Sequence, residues 1–311
     1  MGNPPQQTLW GILIDKKQMG AILEFRKRGD TMKNKWKALG KAMAYILLFE
    51  GFQGLAGIVI MIYLILSTLQ KYPALLEMSP YGMVETIMQM RGPELPYDMA
   101  AALLAANILA VAAVILIFAL RKKNFCREIC LVKPKKQELL LALVIGLTMF
   151  CVTTLLDNLM PYSEAQWEEL EENAAMLPDG ISLLPMLAVA LAAPVVEEIF
   201  FRGLAYTRLR RGFGVAASMV LSAVMFGLGH GGTIWFFSAA AAGLILAFAL
   251  ERTGSLYIPM VIHLVNNTLA QTLGSIGWMT NGVILLGAAV CLGAIWLLWK
   301  NTRTLSETAA E

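Results

Sequence analysis

The sequence predicts an all-α, polytopic membrane protein with about eight transmembrane helices. Hydrophobic residues make up 58% of the 311 residues and charged residues only 15%, against about 45–50% and about 25% in a typical globular domain. This composition excludes a disordered chain and a small disulfide-stapled domain. Basic residues are not interleaved with aromatic ones as in a nucleic-acid-binding face, so we expect no nucleic-acid partner.

Eight apolar runs are candidates for the membrane helices, because about 20 mostly apolar residues are needed to cross the hydrocarbon core. The first three runs contain few polar groups, whereas the part of the chain between residues 194 and 267 contains most of the polar side chains at membrane depth. The runs are residues 42–69, 99–120, 139–156, 183–209, 213–229, 234–250, 256–273 and 283–299.

The charges of the connecting segments predict the orientation. With eight helices, four groups of Lys and Arg fall on one side of the membrane: before the first run, and after the second, fourth and last runs. The other side receives the acidic residues 157–179, which contain no Lys or Arg. Cytoplasmic segments are enriched in Lys and Arg. We therefore predict that both termini are cytoplasmic, and we expect a bacterial plasma membrane.

Ionisable side chains at membrane depth need a physical reason, since each costs at least about 2.5–3.5 kcal/mol on insertion scales. Glu50 stands alone in the first run and receives no assignment from the sequence. The other polar side chains lie in three clusters, the second of which also contains the apolar Phe226. The clusters are Glu197, Glu198 and Arg202; Phe226 and His230; and His263, Asn266 and Asn267.

Helical geometry separates the two adjacent glutamates. Glu198 and Arg202 are four residues apart, so they share a helix face and are expected to form a buried ion pair. Glu197 points about 100° away and is left for chemistry. Pro194 removes one backbone hydrogen bond and loosens the helix just before this pair.

Spacing also relates the other clusters to Glu197. Glu197 lies about 16 residues before the predicted turn at residues 211–214 and His230 about 17 after it, so both are expected at nearly the same depth. His263 and Asn267 are four residues apart and share a face. Spacing alone does not show that Glu197 and His230 touch.

These residue types suit hydrolysis of an amide bond. A carboxylate beside an imidazole can activate water, and a second His with an Asn amide can stabilise an oxyanion. A serine nucleophile is not indicated, because no G-x-S-x-G motif is present. Glu, His, His and Asn also form a ligand set for zinc, but H-E-x-x-H is absent. Zinc stays an open alternative that we do not favour, and we predict no cofactor or metal.

At these residues the sequence resembles a known family. The motifs E-E-x-x-x-R at 197–202, F-x-x-x-H at 226–230 and H-x-x-x-N at 263–267 resemble those of the CAAX protease and bacteriocin-processing family, also called CPBP or Abi. It includes the Ras-converting CAAX endopeptidases. The resemblance covers about residues 140–273.

The resemblance implies an intramembrane glutamic endopeptidase. It implies that Glu197 and His230 activate water and that His263 and Asn267 stabilise the oxyanion. The supporting residues would be Glu198, Arg202, Phe226 and Asn266. Phe226 is expected to serve in packing.

On this basis we divide the chain into four regions. Residues 1–41 form a cytoplasmic or interfacial segment, and 42–137 form a membrane scaffold with a basic cytoplasmic loop. Residues 138–273 form the protease-like core, and 274–311 form the last helix and a short tail.

The expected partners are the lipid bilayer and a membrane-associated peptide or protein, with or without a lipid modification. CAAX-type C-terminal processing and bacteriocin or signal-peptide maturation are both compatible with the motifs. A non-catalytic scaffold or bacteriocin self-immunity protein is the alternative. A transporter is disfavoured, because the polar residues lie in one half of the chain only.

Overall fold

The structure is a computed structural model that describes residues 32–167, 182–231, 235–273 and 280–302. Outside the described residues lie the N-terminal segment up to residue 31 and residues 168–181, which contain most of the acidic side chains of the segment 157–179. The described part is helical and contains no strand. This confirms the all-α membrane fold.

Nine helices longer than two turns follow one another along the described residues. They are α1 (Met32–Lys71), α2 (Pro80–Arg91), α3 (Leu95–Leu120), α4 (Lys136–Leu159), α5 (Leu183–Leu209), α6 (Val215–Gly229), α7 (Phe236–Thr253), α8 (Tyr257–Leu273) and α9 (Asn281–Asn301). All eight predicted apolar runs fall on these helices; α2 was not among them. α1 begins ten residues before the run at 42–69.

Six of these helices are long and apolar enough to cross a membrane: α1, α3, α4, α5, α7 and α9. The other two that were predicted to span are shorter, with 15 residues in α6 and 17 in α8. At 1.5 Å per residue, α6 is about 22 Å long, less than the hydrocarbon core of about 30 Å. A helix of this length covers only part of the hydrocarbon core.

α5 is the central helix, and it packs against α1, α3, α6, α7 and α8. Its side chains form one apolar core with those helices. A second core joins α4, α7, α8 and α9. The helix that carries Glu197 is thus enclosed by elements from both halves of the chain.

α5 is not a regular α-helix. Two stretches, Met186–Ala192 and Glu198–Tyr206, have the wider i→i+5 turns of a π-helix, and the α-helical turn Ala193–Glu197 lies between them. Pro194 in this turn has no N–H to donate. The loosening expected near Pro194 is therefore seen, and π turns of this kind are frequent at functional sites.

A buried ion pair between Arg210 and Glu251 fixes the end of α5 to α7. Arg210 binds the Glu251 carboxylate with Nε at 2.9 Å and Nη2 at 3.1 Å. The Tyr206 hydroxyl donates to the same carboxylate at 2.7 Å. All three side chains are buried. The last turn of α5 is therefore held in one rotational position relative to α7.

The basic loop after α3 is also anchored to this end of α5. Glu128 accepts ion pairs from Arg208 at 2.8 Å and Arg211 at 3.1 Å. Burial opposes ionisation of Glu128, but Arg208 and Arg211 outweigh it and hold the pKa of this carboxyl below its usual value. The loop continues to Cys130, whose carbonyl accepts from the Leu256 N–H at 2.9 Å.

Glu128 is expected to make stability depend on pH in acid. Because its pKa is lowered in the folded protein, the stabilisation is complete above the unfolded value of about 4.3 and is lost as the pH falls through the folded value. The difference in Tm between wild type and Glu128→Gln should be constant near neutral pH and should shrink below about pH 4. Glu94→Gln, which replaces an exposed carboxylate paired with the half-buried Arg91, is the control and should change Tm little. An equal wild-type advantage over Glu128→Gln at all pH values would contradict this account.

Close packing of α4 on α8 gives a second test. A Cβ on Gly146 would lie 2.8 Å from the Val265 Cβ and 2.9 Å from the Ile262 carbonyl oxygen, so Gly146→Ala must push the helices apart. Overpacking of this kind costs about 1–3 kcal/mol. We expect a lower Tm for the purified variant. Gly57→Ala in α1, where nothing lies within 4 Å, is the matched control and should not lower Tm.

Candidate active site

The predicted ion pair between Glu198 and Arg202 is present at the centre of α5. Arg202 Nη1 lies 3.0 Å from Glu198 Oε1, and neither side chain is exposed. Arg202 Nη2 also donates to the Gly243 carbonyl at 3.3 Å. The guanidinium lies over the Phe226 ring at 4.2 Å. Arg202 thereby connects α5 to both α6 and α7.

His263 on α8 contacts both glutamates. Its Nδ1 lies 3.0 Å from Glu198 Oε1, and its Nε2 lies 3.7 Å from Glu197 Oε2. The contact between Glu198 and His263 joins residues 65 positions apart, and sequence reasoning missed it because no local spacing signals such a pair. Glu198 is therefore more than a partner of Arg202: it also orients an imidazole.

Glu197 faces a different part of the site from Glu198, as expected from the angle between adjacent helical residues. Its distance of 3.7 Å to His263 Nε2 is too long for a direct hydrogen bond but can be spanned by a bridging water. Glu197 Oε2 is buried and has no hydrogen-bond partner among the described residues. Since buried polar atoms are normally paired, this oxygen is available to a water or a substrate.

His230 lies where α6 ends. Gly231 has a φ of +97° and turns the chain out of the helix. The His230 Nδ1 lies 2.9 Å from the Phe226 carbonyl oxygen. A carbonyl can only accept, so Nδ1 carries the proton and Nε2 is left with a lone pair in the neutral ring. This is the form that a general base needs.

The Phe226 ring lies against both histidines and under the Arg202 guanidinium. Its ring centroid is 4.3 Å from that of His230 and 5.6 Å from that of His263. Of the two histidines, it is His263 that lies at ion-pair distance from Glu197. A direct contact between Glu197 and His230 stays a prediction.

The two asparagines lie one turn beyond His263 on α8. Asn267 Nδ2 donates to the Val189 carbonyl at 3.4 Å, in the first π-helical stretch of α5. Asn266 Nδ2 donates to Asn267 Oδ1 at 3.3 Å. The Asn267 amide therefore faces α5, on the same side of α8 as His263. One contact of its Nδ2 and one of its Oδ1 fix the orientation of this amide.

The site therefore contains three kinds of group within one cluster of helices. They are the lone-pair nitrogen of His230, the unpartnered carboxylate oxygen of Glu197 and the N–H donors of the Asn267 amide. Among the residues that the structure describes, no group of three or more His, Cys, Asp or Glu side chains is arranged to hold a metal ion.

The buried Glu198–Arg202 pair gives a test of coupling. Arg202→Met leaves Glu198 buried without its cation, and breaking such a pair costs about 3–5 kcal/mol. We expect a much lower Tm for Arg202→Met and a partial recovery in the double variant Glu198→Gln/Arg202→Met, which removes the unpaired charge. If the losses of the two single variants simply add in the double variant, the pair is not coupled.

Comparison with known proteins places the candidate site inside a family match. Residues 179–269 match the family model described as type II CAAX prenyl endopeptidase Rce1-like. The protein named "Putative membrane peptidase YdiL" from Bacillus subtilis (strain 168) is 28% identical over 99 residues, which are 31% of this chain and 41% of that protein. The match thus spans less than half of that relative. No solved structure matches significantly.

The matched residues contain every candidate residue from Glu197 to Asn267. The resemblance to CAAX proteases that the three motifs predict is thereby confirmed for this part of the chain. Residues 179–269 of this integral membrane protein match the type II CAAX prenyl endopeptidase Rce1-like family.

Proposed function

We propose that the protein is an intramembrane endopeptidase that hydrolyses a peptide bond in a membrane-associated peptide or protein. The observation that carries this proposal is the grouping of Glu197, Glu198 and His263 beside a second histidine whose Nδ1 is bound to a backbone carbonyl. Glu197 Oε2 is buried without a hydrogen-bond partner among the described residues, which suits a carboxylate that binds a water molecule.

Water activation is assigned to Glu197 and His230. His230 Nε2 takes the proton from water while Glu197 orients the water, and the water oxygen attacks the scissile carbonyl carbon. The imidazolium that forms lies at the C-terminus of α6, where the helix dipole stabilises positive charge. The position of His230 at the helix end thus favours its role as a base.

Oxyanion stabilisation is assigned to His263 and Asn267. When the carbonyl oxygen becomes negative, it accepts hydrogen bonds from the Asn267 amide and from His263 Nε2. Nε2 can donate to the oxyanion while Nδ1 donates to Glu198 only when the ring carries both protons. The C–N bond then breaks, and the His230 proton passes to the leaving amine.

The substrate is assigned by class. CAAX-type C-terminal processing and bacteriocin or signal-peptide maturation both fit an endopeptidase whose base lies at membrane depth. We propose a bacterial plasma membrane with both termini in the cytoplasm, as the charge bias of the loops indicates. The fully buried Glu198–Arg202 pair also suits a non-catalytic scaffold or immunity protein, which is the second candidate.

Proteolysis is tested by mass spectrometry of peptide termini in membranes that contain wild type or Glu197→Gln at matched levels. We expect new termini with wild type only, because the amide cannot act as a base or orient water in the same way. Glu94→Gln, which replaces an exposed carboxylate away from the site, should give the wild-type profile.

If wild type and Glu197→Gln give identical termini while Glu197→Gln is still folded and biologically active, the peptidase proposal is wrong. The non-catalytic scaffold or immunity protein is then the remaining candidate. Activity that is lost on chelation and restored by zinc would instead select a metallopeptidase.

A further inference from the structure

Basic side chains from three separate parts of the chain meet at one end of the helix bundle. They come from the first turns of α1, from the loop after α3, and from the end of α5 with the turn that follows it. We call this group the basic cluster, and each of the other members repels the charge on Lys41. The members are Lys37, Lys41, Lys123, Arg208 and Arg211.

Close packing of α1 on the turn after α5 brings these charges together. A Cβ on Gly212 would lie 2.6 Å from the Ala38 Cβ and 3.1 Å from the Asn34 carbonyl oxygen. Lys37 and Lys41 lie on either side of Ala38 in sequence and, being four residues apart, share one face of α1. The fold itself therefore holds the lysines of α1 near the arginines of α5.

Glu128 offsets only part of this positive charge. It pairs with both arginines of the cluster and lies 3.7 Å from the Lys123 ammonium. Neither Lys37 nor Lys41 forms an ion pair with a residue that the structure describes. Two lysines four residues apart also destabilise a helix by repulsion. Among the described residues, five cations thus meet one carboxylate that pairs with them, so the cluster favours a further anion.

The general bias of Lys and Arg toward one side of a membrane explains the sign of these charges but not their convergence. That bias requires only that the charges lie on one side, whereas bringing them together costs free energy through repulsion. Arg208 is moreover buried, with 5% of its side chain exposed, and its guanidinium lies 5.7 Å from the centre of the Tyr45 ring on α1. A binding site for an anion accounts for both features.

The surroundings of the basic cluster favour a lipid over a soluble anion. Trp36 precedes Lys37 and is 65% exposed, as is typical of tryptophans at the level of the lipid headgroups. Leu47 on α1 and Leu120 at the end of α3 are 63% and 75% exposed. Leu47 lies about 9 Å along α1 from Lys41. Exposed apolar surface therefore begins next to the cations, where the acyl chains of a bound lipid would lie.

We propose that the basic cluster binds the phosphate of an anionic phospholipid whose acyl chains lie along the exposed apolar faces of α1 and α3. Lys37 and Lys41 contact the phosphate directly, since no described carboxylate pairs with them. Basic pockets between membrane helices bind such headgroups in other proteins. A lipid held here connects α1, the loop after α3 and the end of α5, so it stabilises the fold. The proposal does not depend on the peptidase activity.

The test compares two lipids on the purified protein in detergent by native mass spectrometry. Phosphatidylglycerol, which carries a negative charge, should bind more tightly than phosphatidylcholine, which has no net charge. Each basic residue near an anionic headgroup strengthens binding by about fivefold, so Lys37→Gln/Lys41→Gln should weaken phosphatidylglycerol binding by about 30-fold. Binding of phosphatidylcholine should not change.

Two control variants separate this site from charge in general. Lys37→Arg/Lys41→Arg keeps both charges and should bind phosphatidylglycerol like wild type. Lys71→Gln/Lys300→Gln removes two charges from the other end of α1 and from α9, and should also bind like wild type. An equal loss of binding in Lys37→Gln/Lys41→Gln and Lys71→Gln/Lys300→Gln would overturn the proposal, as would equal binding of the two lipids to wild type.

Thermal unfolding gives an independent measurement. Lys37 and Lys41 are exposed, so Lys37→Gln/Lys41→Gln should have the Tm of wild type in detergent without lipid. Phosphatidylglycerol should raise the Tm of wild type, because a ligand that binds only the folded state stabilises it, and should raise that of the variant much less. If inorganic phosphate at the same concentration raises the Tm of wild type equally, the cluster binds a soluble anion and the lipid proposal is wrong.

Discussion

The position of the candidate site depends on one buried oxygen, Glu198 Oε1. It receives Arg202 from its own helix and His263 from α8, and Arg202 in turn reaches the Gly243 carbonyl on α7 and the Phe226 ring on α6. Four helices are thus oriented around a single carboxylate. A charge this deep is stable only when its partners are fixed, so the network that holds Glu198 Oε1 also determines where the adjacent Glu197 can point.

Local spacing was sufficient to predict the membrane fold and the Glu198–Arg202 pair, because both follow from helical periodicity. It also selected the candidate residues Glu197, Glu198 and His263, which the structure brings together, because ionisable groups at membrane depth are rare. It did not reveal the contact between Glu198 and His263, nor that Glu50 Oε1 lies against Gly229, because both depend on how distant helices pack. The π-helical stretches were also missed: Pro194 signals a weakness in the helix, but not how far the widened turns extend.

The shortness of α6 bears on the backbone near the candidate site. A helix of 15 residues is about 22 Å long and covers only part of a hydrocarbon core of about 30 Å. At its C-terminal end the Phe226 carbonyl is paired with His230 Nδ1. A backbone carbonyl without such a partner would be costly in contact with lipid, so His230 also satisfies a group that the end of the helix leaves free.

The π-helical turns of α5 make the length of this helix a constraint of its own. Arg210 is fixed to Glu251 at one end, and the Val189 carbonyl meets Asn267 near the other. Removing one residue between these anchors would rotate everything on one side of the deletion by about 100°. Glu197 would then turn away from His263 although every functional side chain was still present. A single insertion or deletion between the two anchors therefore changes the geometry of the whole site, whereas a substitution affects only the contacts of the residue that is replaced.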